Sequence, residues 1–245
     1  MRALTVLGSC GAYPEPERAC SGFLVDWDDF RVVLDLGYGT LAPLLATGGA
    51  VDAVVITHEH PDHCIDLHGL FRVLFYGPRP GARLPLFCPP GVLTRLAGIE
   101  PDVDLLAVFD VHPLPGRYRL GPFELTGRPL PHFVPASGVR LQAGAFALAY
   151  TGDTGPTPTL ATLGRDASLF IVDATDRPGA SARSQRNLLT AAEAGAAARA
   201  AGARRLMLTH FWPGTDRLAS VAAARAEFDG EVLVAEEGLR LELDD

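Results

Sequence analysis

Four side chains able to bind a metal crowd into six positions, His58, His60, Asp62 and His63, in the run Thr57-His58-Glu59-His60-Pro61-Asp62-His63. The spacing is H-x-H-x-D-H. Imidazoles and a carboxylate packed this closely without a cation suffer desolvation and, once the rings are protonated, like-charge repulsion, so the set points to metal. Any one of these histidines alone would read as an ordinary polar residue. The zinc-protease pattern H-E-x-x-H does not fit, because Asp62 stands where its second histidine belongs.

The elements that must position this cluster flank it. The apolar run from Val51 to Ile56 precedes it, and Pro61 followed by Leu67, Leu70, Phe71 and Leu74 comes after. This reads as strand, short loop and helix start. The cluster therefore sits at a strand's carboxyl end, where open α/β sheets place their chemistry. His58 and His60, two apart on an extended tip, converge on one ion. Asp62 and His63, at the helix start, face a second position.

With 245 residues, 48% of them hydrophobic, the chain has enough apolar surface for a substantial core, most simply one domain over 1–245. Its 26 glycines and 20 prolines indicate many turns. No apolar run approaches twenty residues and no charged segment precedes an apolar leader, so neither a membrane span nor a signal peptide is expected, and the expected location is cytoplasmic. All 21 basic residues are arginine and the formal net charge is -8. An acidic surface disfavours long polyanions and leaves a small-molecule substrate as the expected partner, with nucleic acid unlikely. Cys10, Cys20, Cys64 and Cys88 form no C-x-x-C pair and are expected as free thiols.

Along the chain, strands are predicted at 2–7, 21–26 and 30–36, the last ending in Asp35, with a short helix at 39–47. The motif helix runs to about Tyr76, and His68 on it falls off the ligand face, as a rim or packing residue. Gly77 to Gly91 is a proline-rich loop holding a strand from Leu84 to Cys88. Strands follow at 117–131, 137–142, 145–151, 168–174, 205–209, 231–235 and 238–243, with helices at 157–164, 190–202 and 215–228. Two β-rich halves with helices outside suit an α/β four-layer αββα sandwich. The apolar Leu70 to Phe75 face is expected in the core, with a homodimer contact as the alternative.

The H-x-H-x-D-H motif after an apolar strand resembles the metallo-β-lactamase superfamily. That resemblance implies an αββα sandwich with one or two metals and further ligands in a fixed order. His132 after the strand Phe123 to Leu130, Asp153 in Tyr150-Thr151-Gly152-Asp153-Thr154, and His210 after Leu206 to Thr209 match that order. The implied first metal position is His58, His60 and His132, and the second Asp62, His63 and His210, with Asp153 bridging. Asp35 would orient a ligand histidine by hydrogen bonding. Imidazole and carboxylate donors without thiolate favour two zinc ions, with manganese or iron as alternatives.

The whole chain is most similar to the ribonuclease Z-like branch, through Leu7-Gly8-Ser9, Thr190-Ala191-Ala192-Glu193-Ala194-Gly195 and Leu208-Thr209-His210-Phe211. Two departures stand out. Only twenty residues separate His132 from Asp153, too few for the RNA-binding arm, and Leu188 stands where relatives often carry a histidine that assists the leaving group. The expected activity is metal-assisted hydrolysis of a small phosphodiester such as a cyclic nucleotide, with Asp62 and Asp153 orienting the attacking water. Alternatives are ester, lactone or thioester cleavage, with Tyr13, Tyr38 or Tyr76 as candidate oxyanion donors, ribonuclease Z-like RNA processing, and a non-catalytic metal scaffold.

Overall fold

A computed structural model describes residues 1–78, 83–176 and 186–244. The first half lays down β1 (Arg2–Gly8), β2 (Gly22–Trp27), β3 (Phe30–Leu36), α1 (Leu41–Ala46), β4 (Ala53–Val55), α2 (Pro61–Tyr76), β5 (Leu84–Cys88), α3 (Gly91–Ala97) and β6 (Phe109–Pro113). The second adds β7 (Arg117–Leu120), β8 (Phe123–Leu130), β9 (Ala136–Ala143), β10 (Phe146–Tyr150), α4 (Thr159–Leu163), β11 (Leu169–Asp173), α5 (Ala191–Ala201), β12 (Arg205–Thr209), α6 (Arg217–Arg225), β13 (Glu231–Val234) and β14 (Arg240–Glu242).

Among the described residues these strands form two seven-stranded sheets, ordered β14-β1-β2-β3-β4-β5-β6 and β13-β12-β11-β10-β9-β8-β7. Period-two alternation stacks them. Leu4, Val6, Phe23, Val25, Val32 and Leu34 point inward and meet Leu125, Leu141, Phe146, Leu148 and Ile171 from the other sheet. The opposite faces of the same strands, Leu7, Leu24 and Val33, pack under α2 and α3 through Leu67, Phe71, Val92 and Leu96. On the far side Ala194, Ala198 and Ala224 bring α5 and α6 close to β11 and β12. The result is the expected αββα sandwich.

Several boundaries differ from the sequence reading. The strand expected over 117–131 is a hairpin, β7 and β8, broken at Gly121-Pro122, where Gly121 takes φ 54°. α3 and β6 were not expected, since residues 92–116 lack clean periodicity. β14, the expected closing strand, pairs with β1 in the first sheet. The helix over 190–202 is closed by a Thr190–Glu193 capping box and by Gly202 in the left-handed conformation. Part of the expected 77–91 loop, residues 79–82, lies outside the described residues. No helix among the described residues is long and apolar enough to cross a membrane.

Strand direction explains where the chemistry gathers. β3 to β6 run parallel, as do β10 to β13. β1 and β8 share those directions through two antiparallel pairings each. The carboxyl ends of β1, β3, β4, β8, β10, β11 and β12 therefore open onto one edge of the sandwich.

Candidate metal centre

All seven sequence-predicted residues meet at that edge. His58 and His60 occupy the loop after β4, and His60 is the N-cap of α2 with Pro61 at its first position. Asp62 and His63 fill the first helical turn. His132 follows β8 by two residues, Asp153 follows β10 by three, and His210 directly follows β12 with φ 58°.

The donor atoms sort into two sets. His60 Nδ1 lies 3.1 Å from His58 Nε2 and 3.0 Å from His132 Nε2, and Asp153 Oδ2 faces those two Nε2 atoms at 3.9 and 3.6 Å. In the second set His63 Nε2 and His210 Nε2 are 3.0 Å apart, and Asp62 Oδ2 lies 3.8 and 3.2 Å from them. Asp153 Oδ1 sits 3.1 Å from His63 Nε2 and 3.2 Å from His210 Nε2, buried and without an aligned hydrogen bond. One carboxylate thus gives an oxygen to each set.

Tautomers follow from the partners behind the rings. His63 Nδ1 donates to Asp35 Oδ2 at 2.8 Å and His132 Nδ1 donates to the Asn187 carbonyl at 2.9 Å. His58 Nδ1 meets Thr57 Oγ1 at 3.1 Å, and that hydroxyl donates to Asp35, so the ring donates to it. His210 Nδ1 meets Thr175 Oγ1 at 2.6 Å, and Thr175 donates onward to Asp173. With hydrogen assigned to Nδ1 in all four rings, Nε2 is a bare lone pair aimed into the cluster. Lone pairs about 3 Å apart repel unless a cation or a proton lies between them. The donor set therefore fits divalent metal.

The electrostatics agree. Burial opposes charge on His63 and His210, yet Asp153 with its neighbouring carboxylates outweighs it and raises both rings above the usual histidine range. Burial also opposes ionisation of Asp62 and Asp153, but the surrounding imidazoles hold both carboxyls below the ordinary range. Burial lowers His58, His60 and His132. The second set therefore favours positive charge, while burial keeps the imidazoles of the first set neutral, the form that offers a lone pair to a metal.

Close packing holds the constellation in place. A Cβ on Gly11 would stand 2.8 Å from the His210 ring, so only glycine lets that loop pass beside the imidazole. The next residue, Ala12, donates its N–H to Asp62 Oδ2 at 2.7 Å. Gly152 takes φ 57°, and a Cβ there would meet Thr57 Oγ1 at 2.6 Å.

The remaining candidate residues lie outside the two donor sets. His68 pairs with Glu100 at 2.9 Å, away from the cluster, and Cys64 is buried beside it with its thiol on the Glu59 carbonyl. All four cysteines are free. Tyr76 ends α2 thirteen residues after His63, about 20 Å along the helix, so it cannot serve the site. The sequence reading passed over Asp173, which accepts the backbone N–H groups of Thr175 and Leu189 and the Thr175 hydroxyl, and which burial and the charge on Asp153 push up to about 7. Its signal was available, an aspartate ending an apolar strand as Asp35 does.

The β-lactamase superfamily domain matches residues 31–211. The Mycobacterium leprae protein ML1173 is 37% identical over 94% of this chain and 84% of its own length. A ribonuclease Z of Kineococcus radiotolerans is 30% identical over 95% of this chain and 92% of its own. The metallo-β-lactamase-fold protein YhfI of Bacillus subtilis superposes with a TM-score of 0.86 at 26% identity, over 98% of both chains. With its fold, its ordered donor set and these relatives in agreement, the chain belongs to the metallo-β-lactamase superfamily of metal-dependent hydrolases.

Proposed function

We propose that the protein is a dinuclear phosphodiesterase acting on a small phosphodiester such as a cyclic nucleotide. The observation that carries this reading is Asp153, whose two carboxylate oxygens face separate donor sets. Two cations held there, zinc by donor type, would supply a lowered water pKa and polarisation of the phosphoryl oxygens. The chain's own residues do the rest. Asp62 and Asp153 accept hydrogen bonds from the attacking water and fix its direction. The partners behind each Nδ1 keep the rings from rotating. Gly11 and Ala12 close the second set from the side of β1.

Substrate size is argued from the connection after His132. β9 and β10 form a tight hairpin turning at Gly144, and no arm extends from it to hold a folded RNA. A net charge of -8 adds general repulsion of long polyanions. Leaving-group protonation has no histidine at position 188, which suits a diester whose alkoxide is protonated from solvent.

The test is hydrolysis of bis-p-nitrophenyl phosphate by metal-analysed protein, beside p-nitrophenyl acetate, with Asp62→Ala and His63→Ala as controls. Diester turnover that needs two metals per chain and is lost in both variants is expected. Ester cleavage alone by two-metal protein would replace the phosphodiesterase reading with a carboxylic-ester one.

A further inference from the structure

We infer that Tyr13 and Trp212 form a stacking platform for a nucleobase, making the substrate a nucleotide-bearing diester. This rests on the phosphodiesterase reading for the phosphate and adds a subsite for its substituent. The two rings meet edge to face, 6.5 Å between centroids and 81° between planes, and Tyr13 is 53% and Trp212 39% exposed. Large aromatics left this open beside a buried polar cluster leave π-faces available to a ligand.

Both rings are tied to the second donor set by short, ordered backbone. Tyr13 follows Ala12, whose N–H binds Asp62, and Tyr13 itself donates its N–H to the Gly11 carbonyl at 2.8 Å. Trp212 lies two residues after His210. The two segments are joined by Gly11 N–H to the Phe211 carbonyl at 2.9 Å and by Phe211 N–H to the Ser9 carbonyl at 3.0 Å. The backbone carrying the rings therefore has a fixed position relative to Asp62 and His210, and the proposed platform takes one substituent of a diester held at the cluster.

Phe133 is the competing station. It is 69% exposed, but it is a single ring, already set against His132 with centroids 5.1 Å apart, on the side of the first donor set. Two near-perpendicular rings on braced backbone offer a face for the base with the second ring beside it, and base stacking on aromatic side chains is tolerant of base identity.

Trp27 and Trp212 are the chain's two tryptophans, and Trp27 is buried in the core, so fluorescence quenching by a ligand reports Trp212. The experiment titrates metal-loaded protein with AMP and with ribose 5-phosphate, then compares kcat/KM for cyclic AMP and for glycerol 1,2-cyclic phosphate, which has the diester without a base. Saturable quenching by AMP alone, absent in Trp212→Phe, is expected. So is a Tyr13→Ala loss of about tenfold in the preference for cyclic AMP, the scale of one stacked base, restored by Tyr13→Phe. Equal quenching by ribose 5-phosphate, no quenching by either, or loss of the preference in Phe133→Ala but not Tyr13→Ala would overturn the platform. Base-dependent quenching without turnover of any diester would leave the platform standing and remove the phosphodiesterase reading.

Discussion

Asp35 Oδ2 accepts the Nδ1–H of His63 at 2.8 Å with both side chains fully buried, and the same carboxylate takes the Thr57 N–H, the Thr57 hydroxyl and the Tyr150 hydroxyl. One aspartate at the end of β3 thus holds the ligand loop, the first turn of α2 and the end of β10 in register. Asp35 also takes φ 58°, a conformation asparagine tolerates well.

Asp35→Asn should therefore keep the backbone and change the chemistry. An amide cannot accept from His63, Thr57 and Tyr150 together, so His63 loses its enforced tautomer. Metal affinity should fall about 10- to 100-fold, the usual effect of removing a partner behind a ligand histidine. Stability should drop by about 1–3 kcal/mol from unsatisfied buried donors. Competition against a chromophoric chelator measures the first effect and urea unfolding the second. Unchanged zinc affinity in a folded variant would remove Asp35 from the metal argument.

How much of this was legible beforehand follows from the kind of signal each residue gives. The candidate ligands announce themselves because coordination would need particular side chains at the ends of apolar strands, and both are visible in one dimension. Asp35 carried the same signature. Asp173, at the end of β11, carried it too. Thr175 and the Asn187 carbonyl gave no such signal, because a partner behind an imidazole needs only an acceptor at the right place, which a hydroxyl or a backbone carbonyl fills without residue preference. In the fold, β6 and α3 were missed where burial is mixed along the segment. The return of β14 to β1 is a long-range pairing that no local pattern encodes.

The two donor sets should separate by mutation. His210 contributes to the second set only, while His58, His60 and His132 are untouched by its loss. His210→Ala should carry one equivalent of metal where the wild type carries two, read by elemental analysis after gel filtration. Chelation of the wild type should lower Tm by several degrees, since a cation bound only by the folded chain stabilises it by mass action, and zinc should restore it. A variant that still holds two equivalents would show that the sets are not independent.

Alkaline pH should expose the buried thiols. Burial pushes Cys88 up to about 12, and burial together with the Asp35 carboxylate does the same for Cys64. An unfolded thiol ionises near ~8.5. Between these values the folded chain keeps a proton that the unfolded chain has lost, so the stabilisation is complete below about pH 8.5 and is lost as pH rises toward about 12. Each such thiol should remove about 1.4 kcal/mol of stability per pH unit in that window. Urea midpoints at pH 8 and pH 10 measure the slope. Cys88→Ala should start less stable, by about 1 kcal/mol for the small void, and should fall less steeply. Parallel pH profiles for the two proteins would rule Cys88 out as a contributor.

Position 188 offers a gain-of-function test. Leu188 directly follows Asn187, whose carbonyl orients His132, and its own carbonyl accepts from Arg186 at 3.2 Å. The segment is braced at the edge of the first donor set, and whether a side chain at 188 reaches a departing oxygen is what the variant tests. Leu188→His should raise turnover of diesters with alkoxide leaving groups, about 10- to 100-fold toward the usual contribution of a general acid, with a rate that falls above the pKa of the new imidazole. For bis-p-nitrophenyl phosphate, whose phenolate leaves without a proton, the same variant should change little. The contrast between the two leaving groups carries the information. Equal acceleration of both would mean the histidine acts on binding or metal charge rather than on the leaving oxygen, and no acceleration of either would place position 188 out of reach of the scissile bond.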